Sequence, residues 1–208
     1  MIGWSEMVRL RFLTLNVWSI PWPVSRDIAE RMSAIGRRIG ELGIDVAAFQ
    51  EVWSGEARRR LVDAGREAGL DFAWHGKGLL GASGLVVLSR LPVRSARFQA
   101  FTLNGLPQRI HHLDYYGRKG LVQLSIDAPG GPLSLVTTHL HARHADGQDR
   151  WDYTGHRSAQ VVELAGILAR YRRCRRGSGC WRVALAGDDG CRPAALSGRR
   201  RRRLHECR

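Results

Sequence analysis

The sequence predicts an α/β fold in which two β-sheets pack face to face and helices cover the outside. Three observations carry this. Four strand-like runs, Leu10–Leu15, Val46–Phe49, Leu133–Val136 and Arg182–Ala186, run out into polar ends: Asn16, Gln50-Glu51, His139 with His141 and His144, and Gly187-Asp188. Stretches with helical spacing of apolar residues lie between several of them. One pair of strands is joined through a Pro129-Gly-Gly-Pro turn, as antiparallel neighbours are. Strand hairpins mixed with amphipathic helices give packed layers. A rigid sheet holds the side chains at its strand ends, so the four polar ends read as the walls of one hydrolytic metal site.

In chain order, residues 1–8 read as a leader, with Met7 as an alternative start. Leu10–Val17 is the first strand. Trp18-Ser-Ile-Pro-Trp-Pro is a loop, because each Pro disfavours helix at the residue before it. A helix is expected from Arg26 to about Leu42, with Ile28, Met32, Ile35, Ile39 and Leu42 inward and Arg31, Arg37 and Arg38 outside. Gly43 stops it. Ile44–Phe49 is the second strand. Ser54 caps a second helix through about Ala68, with Glu56 near its positive end. Phe72–Trp74 is a short strand. Gly76 to Gly84 lacks the Lys-Ser/Thr ending of a phosphate-binding loop and leads into the strand Leu85–Leu88, so it reads as a rim. Val93–Phe101 alternates weakly. Gly120–Ile126 and Leu133–Thr137 form the hairpin. A helix from about Tyr153 to Tyr171 turns Val161, Leu164, Leu168 and Tyr171 inward, a basic loop spans Arg172 to Gly179, and Val183–Ala186 is the last strand.

The chain of 208 residues is long enough for one sizeable domain. Its formal net charge is +14; residues 189–208 supply +5 of it, with seven Arg against Asp189 and Glu206, and the other 188 residues carry +9. That surplus favours phosphate-bearing partners, nucleic acid or an anionic membrane surface; Arg-rich coding in a GC-rich genome explains it equally well. The four cysteines, Cys174, Cys180, Cys191 and Cys207, lie in the last 35 residues and have neither metal-ligand spacing nor the spread of a disulfide framework. There is no signal-peptide pattern and no run of about 20 apolar residues. The chain therefore reads as soluble and, by default, cytoplasmic.

Several short pieces together resemble the endonuclease/exonuclease/phosphatase superfamily, and within it the neutral sphingomyelinases. They are Leu15-Asn16-Val17-Trp18, Gln50-Glu51-Val52-Trp53, Ser83-Gly84-Leu85, Thr102-Leu103-Asn104-Gly105, Ile110-His111-His112-x-Asp114, Lys119-Gly120, Thr138-His139-Leu140-His141-Ala142, Asp152-Tyr153-x-x-His156-Arg157-x-x-Gln160 and Gly187-Asp188. The resemblance covers residues 9–188. It implies a four-layer α/β sandwich of two packed mixed sheets flanked by helices (DNase I-like), magnesium (Mg2+) as cofactor, and hydrolysis of sphingomyelin to ceramide and phosphocholine at a membrane surface.

The resemblance also assigns roles. Glu51 and Asn16 would hold Mg2+, a hard cation that neutralises charge on phosphoryl oxygens and takes few protein carboxylates. His139 would donate to those oxygens. Asp188 would hold the nucleophilic water or its histidine activator. Asp114 and Lys119, five apart in one loop, match residues linked in sphingomyelinases to rearrangement of the active-site loop. His141 is read as structural, on the opposite face from His139. Asp152, His156, Arg157 and Gln160 support the site wall or form a solvated helix face. Trp18, Trp22, Trp53, Tyr115 and Tyr116 sit in loops after strands, either as ordinary loop packing or as a rim that meets membrane or choline.

After Asp188 the pattern departs. Gly187-Asp188-Asp189-Gly190 lacks the family's Asn, and no later Asp-His supplies its general base. Residues 189–208, with Arg199–Arg203 consecutive, read as an aberrant, disordered basic tail. The expectation is a fold incomplete at its C-terminus, from a frame change or early stop, with little activity. An endonuclease of the same superfamily, or a non-catalytic fragment binding nucleic acid or anionic lipid, is the alternative. No oligomeric state is legible.

Overall fold

The computed structural model describes residues 9–20, 23–76, 84–104, 118–141, 154–174 and 181–186. Its strands are β1 (Phe12–Asn16), β2 (Val46–Gln50), β3 (Phe72–His75), β4 (Val86–Ser89), β5 (Val93–Ala100), β6 (Gly120–Ala128), β7 (Gly131–His139) and β8 (Trp181–Ala186); its helices are α1 (Ile28–Leu42), α2 (Gly55–Glu67) and α3 (Thr154–Cys174). One sheet has the order β1-β2-β4-β3, the other β5-β6-β7-β8. Both are mixed. β1 runs parallel to β2 and β7 parallel to β8, and the remaining pairs are antiparallel.

Alternation along the strands sorts side chains into layers. Val46 and Ala48 of β2 and Val87 of β4 face across to Val122, Leu124, Ile126, Leu133 and Leu135 of the second sheet, which forms the core between the sheets. The neighbouring residues Ala47, Phe49, Val86 and Leu88 point the other way, onto Met32 and Ile39 of α1 and Ala57 and Leu61 of α2. Leu121 and Val136 leave the outer face of the second sheet and meet Leu164 and Ile167 of α3. The order is helices, sheet, sheet, helix: the four-layer α/β sandwich. β2 and β4 are buried at every position because both their faces are covered, so they read as unbroken apolar runs. Helices α1 and α2 pack closely at Gly36, where a Cβ would fall 2.2 Å from that of Ala64.

The element ends follow local chemistry. Gly43 closes α1 in the left-handed region (φ 58°), with its N–H on Gly40 O and that of Ile44 on Ile39 O. The Ser54 hydroxyl accepts the Ala57 N–H at 3.0 Å and opens α2. Gly130 and Gly131, at φ 94° and 126°, turn the β6–β7 hairpin. Three expectations need correction. Arg172 and Arg173 belong to α3, which continues to Cys174, rather than to a loop. Val161 is exposed and Ile167 is buried, because the inward stripe of α3 is Gln160, Leu164 and Ile167. Leu42 is exposed in the last turn of α1. Among the described residues, no helix is long and apolar enough to cross a membrane.

Candidate active site

The parallel pairing brings polar strand ends to one edge. Asn16 ends β1 in register with Gln50, which ends β2, and Glu51 follows directly. In the other sheet Gly120 pairs with His139, so Lys119 precedes β6 at the level where β7 ends. Asn16, Glu51, Lys119 and His139, expected from the sequence, therefore converge from four elements. Asp114 and Asp188 lie outside the described residues, as do Asp152, His144, Trp22, Tyr115, Tyr116 and the segment 187–208.

Glu51 is 5% exposed and held from several sides. Asn16 Nδ2 donates to its Oε1 at 2.8 Å, and Asn16 Oδ1 accepts the Trp18 N–H at 3.0 Å, which fixes the amide. The Glu51 carbonyl accepts from both the N–H (3.0 Å) and the hydroxyl (2.8 Å) of Ser19. Ser19 Oγ in turn accepts the Trp53 N–H. These bonds hold Glu51 at φ 59°, a left-handed conformation that only surrounding structure maintains in a non-glycine residue. Gly84, also left-handed at φ 64°, comes so close that a Cβ there would lie 3.2 Å from Glu51 Cα and 3.1 Å from the Val52 nitrogen.

Lys119 and His139 are 2% and 0% exposed. Lys119 Nζ lies 2.7 Å from His139 Nε2 and 3.3 Å from Nδ1. The Trp53 ring lies over both, 5.4 Å from Nζ and 6.1 Å from the imidazole. An ammonium only donates, so in this contact a ring nitrogen of His139 accepts from Lys119. His139 Nε2 is 3.7 Å from Glu51 Oε1, a charge contact too long for a hydrogen bond. Burial pushes the Glu51 carboxyl up; His139 and Asn16 beside it and the charge of Lys119 outweigh this and hold it below its ordinary value. The 2.8 Å bond from Asn16 is the best-formed of these contacts.

Gln50 is a site residue that sequence reasoning passed over, noted only as a neighbour of Glu51. Its Nε2 reaches Thr14 Oγ1 (3.3 Å) and Thr137 Oγ1 (3.5 Å), while its buried Oε1 has no hydrogen-bond partner among the described residues. An ionised carboxylate joined to an oriented side-chain amide is a small oxygen-donor set. It suits a hard cation that keeps most of its water. Among the described residues there is no group of three or more His, Cys, Asp or Glu that could hold a metal, which magnesium does not require.

The wall is tied to α3. Gln160 accepts the His141 N–H at 2.9 Å and donates to Leu103 O at 2.9 Å; Arg157 donates to His141 O. Glu163 accepts from the Thr102 N–H and hydroxyl. His141 lies apart from His139, but not through strand alternation, which puts residues two apart on one face. β7 ends at His139, and the chain beyond it turns to α3, where the His141 and His156 rings stand 5.8 Å apart. Arg31, expected outside, is half-buried and hydrogen-bonded to the loop after β1. Trp18, 48% exposed, stands at the rim.

A model of the Endonuclease/Exonuclease/phosphatase family matches residues 13–187. Sphingomyelin phosphodiesterase 2 of Homo sapiens is 35% identical over 165 residues, 77% of this chain and 37% of that protein. Inositol phosphosphingolipids phospholipase C of Saccharomyces cerevisiae is 26% identical over 214 residues, covering 92% of this chain and 43% of that protein. The chain thus spans about two fifths of the length of the curated relatives it matches. A beta toxin variant from Staphylococcus aureus, solved with bound magnesium ions, superposes with a TM-score of 0.65 at 14% identity, over 83% of this chain and 63% of that one.

Proposed function

The chain belongs to the endonuclease/exonuclease/phosphatase family, and from that premise we propose that its cleft hydrolyses the phosphodiester of a sphingolipid, sphingomyelin first, with magnesium as cofactor. The observation that carries the reading is the pairing of an ionised, buried Glu51 with a buried Lys119–His139 pair at one sheet edge. Such a site offers a cation-binding carboxylate and cationic or N–H donors to the same phosphate. The relatives named for sphingolipid phosphodiesters support the substrate class.

Glu51 would hold the magnesium, with the amide oxygen of Asn16 beside it. When bound, it supplies charge neutralisation to phosphoryl oxygens. The protein's own part is donation and exclusion. His139 would donate a ring N–H to the phosphoryl oxygens. Lys119 adds a fixed positive charge, and burial strengthens both toward a developing oxyanion. Trp53 covers the pair and keeps water from the ammonium. Asp188 would position the nucleophilic water, and Asp114 would pair with Lys119.

The test is release of phosphocholine from sphingomyelin vesicles by the purified chain, with magnesium and with EDTA, beside an inositol phosphosphingolipid and abasic duplex DNA. Weak magnesium-dependent turnover of sphingomyelin that is lost in Glu51→Gln and His139→Gln is expected, in keeping with the little activity read from the sequence. Preferred cleavage of the inositol lipid would change the head group. Preferred cleavage of DNA, or turnover indifferent to either substitution, would overturn the reading.

A further inference from the structure

Three arginines lie on α1, and two behave as surface residues: Arg37 is exposed, and Arg38 pairs with Glu41 in solvent. Arg31 turns inward. Its Nη2 donates to Val17 O and Trp18 O, and its Nη1 to Ser25 Oγ at 2.8 Å and Arg26 O at 3.3 Å. All four acceptors are neutral oxygens of the segment that leaves β1. The buried Ser25 hydroxyl adds a bond to Trp18 O at 2.9 Å. A planar guanidinium with a fixed fork of donors is suited to setting several carbonyls at once.

What it sets is a strained turn. Trp18 has φ 44°, unfavourable for a bulky residue. That conformation points the Trp18 N–H at Asn16 Oδ1, 3.0 Å away, and so turns Asn16 Nδ2 toward Glu51 Oε1 at 2.8 Å. One residue further, Ser19 holds the Glu51 carbonyl. We propose that Arg31 is a positioning residue: through the Val17 and Trp18 carbonyls it fixes the amide of Asn16, and thereby the Glu51 carboxylate, for binding a divalent cation. The inference rests on Glu51 and Asn16 being the cation-binding pair of the proposed function. Its own hydrogen bonds go to the Val17, Trp18, Ser25 and Arg26 oxygens, so its part is geometric.

The test uses the full chain, 15N-labelled and metal-free, with the Asn16 side-chain amide assigned by its loss in Asn16→Ala. Arg31→Met is compared with Arg31→Lys, with Ser25→Ala and with the solvent-facing control Arg37→Met. In Arg31→Met the Asn16 amide pair shifts and exchanges faster. Affinity for Mn2+, read directly by its electron paramagnetic resonance signal, falls about tenfold, the size expected for an outer partner of a ligand. Arg31→Lys recovers part of both effects, and Arg37→Met shows neither. An unmoved Asn16 pair, or an unchanged Mn2+ affinity, in a folded Arg31→Met overturns the proposal. Should that variant not fold, Arg31→Lys and Ser25→Ala are judged by the same two readings. The Asn16 resonances need no turnover. A wild-type chain that cleaves no sphingolipid therefore overturns the proposed function without touching this result, and an unmoved amide in an active enzyme does the reverse.

Discussion

Replacing Asn16 by Ala removes one bond to an ionised carboxylate and one acceptor for a backbone N–H. The first, 2.8 Å from Nδ2 to Glu51 Oε1, is charge-assisted and contributes about 1.5–3 kcal/mol. The second, from the N–H of the half-exposed Trp18, contributes about 0.5–1 kcal/mol because water replaces it in part. Asn16→Ala should therefore cost about 2–4 kcal/mol of folding stability at pH 7. The cost should also depend on pH. The Glu51 carboxyl of the folded chain lies below its ordinary value near 4.5. Its stabilisation is fully present above that value and is lost as pH falls through the lower, folded one. Without Asn16 the folded value rises, so wild type and variant differ most above pH 4.5 and converge below it. Urea unfolding followed by tryptophan fluorescence, in EDTA, at pH 7 and at the lowest pH where the wild type stays folded, measures both effects. A loss below about 0.5 kcal/mol at pH 7, or one that does not shrink in acid, would refute the reasoning.

Lys119→Met takes away one of the positive charges that lower the Glu51 carboxyl, so the acid limb of the rate profile should move to higher pH while kcat falls about a hundredfold; an unmoved limb in a pH–rate titration would show that Lys119 does not act on Glu51. Gly84→Ala should destabilise by about 1–2 kcal/mol, because the position is left-handed and its Cβ would crowd the Glu51 backbone; a thermal melt equal to wild type would contradict it. Gln160→Leu leaves the His141 N–H and the Leu103 carbonyl without their partner and should cost about 2–4 kcal/mol, read by urea unfolding. A loss under about 1 kcal/mol would mean that water enters there.

The central strands were legible because of where they lie. β2, β4, β6 and β7 are covered on both faces or flank a tight turn, so their sequences are dense in Val, Leu, Ile and Phe. β5 was weak for a matching reason. It is the edge of its sheet, partly exposed along its length, and Arg94, Arg97 and Gln99 dilute its alternation. The partition of the eight described strands into two sheets was not legible, since nothing local says that β4 joins β2 antiparallel while β8 joins β7 parallel. The inward face of α3 was misjudged at Val161 because the buried residue of that turn is polar: Gln160, whose amide satisfies backbone at both neighbouring strand ends.

The convergence of the candidate residues was legible for a topological reason. In each sheet a parallel pair sends two chains to one edge, Asn16 with Gln50 and His139 with Ala186. A polar residue that ends an apolar run must then emerge beside the others. Strand-end reasoning could thus single out Asn16, Glu51 and His139. It could not find Arg31, because helical periodicity registers only that an arginine lies off the apolar stripe. Whether its guanidinium meets water or a loop depends on where Trp18, Ser25 and Arg26 lie against α1. The same limit hid Gln50, whose amide serves a polar layer between the sheets, bordered by Thr14 of β1 and Thr137 of β7. Residues that touch the reacting group announce themselves by type and place. Those that set the angles of such residues are ordinary side chains in ordinary positions, and only three-dimensional contacts distinguish them.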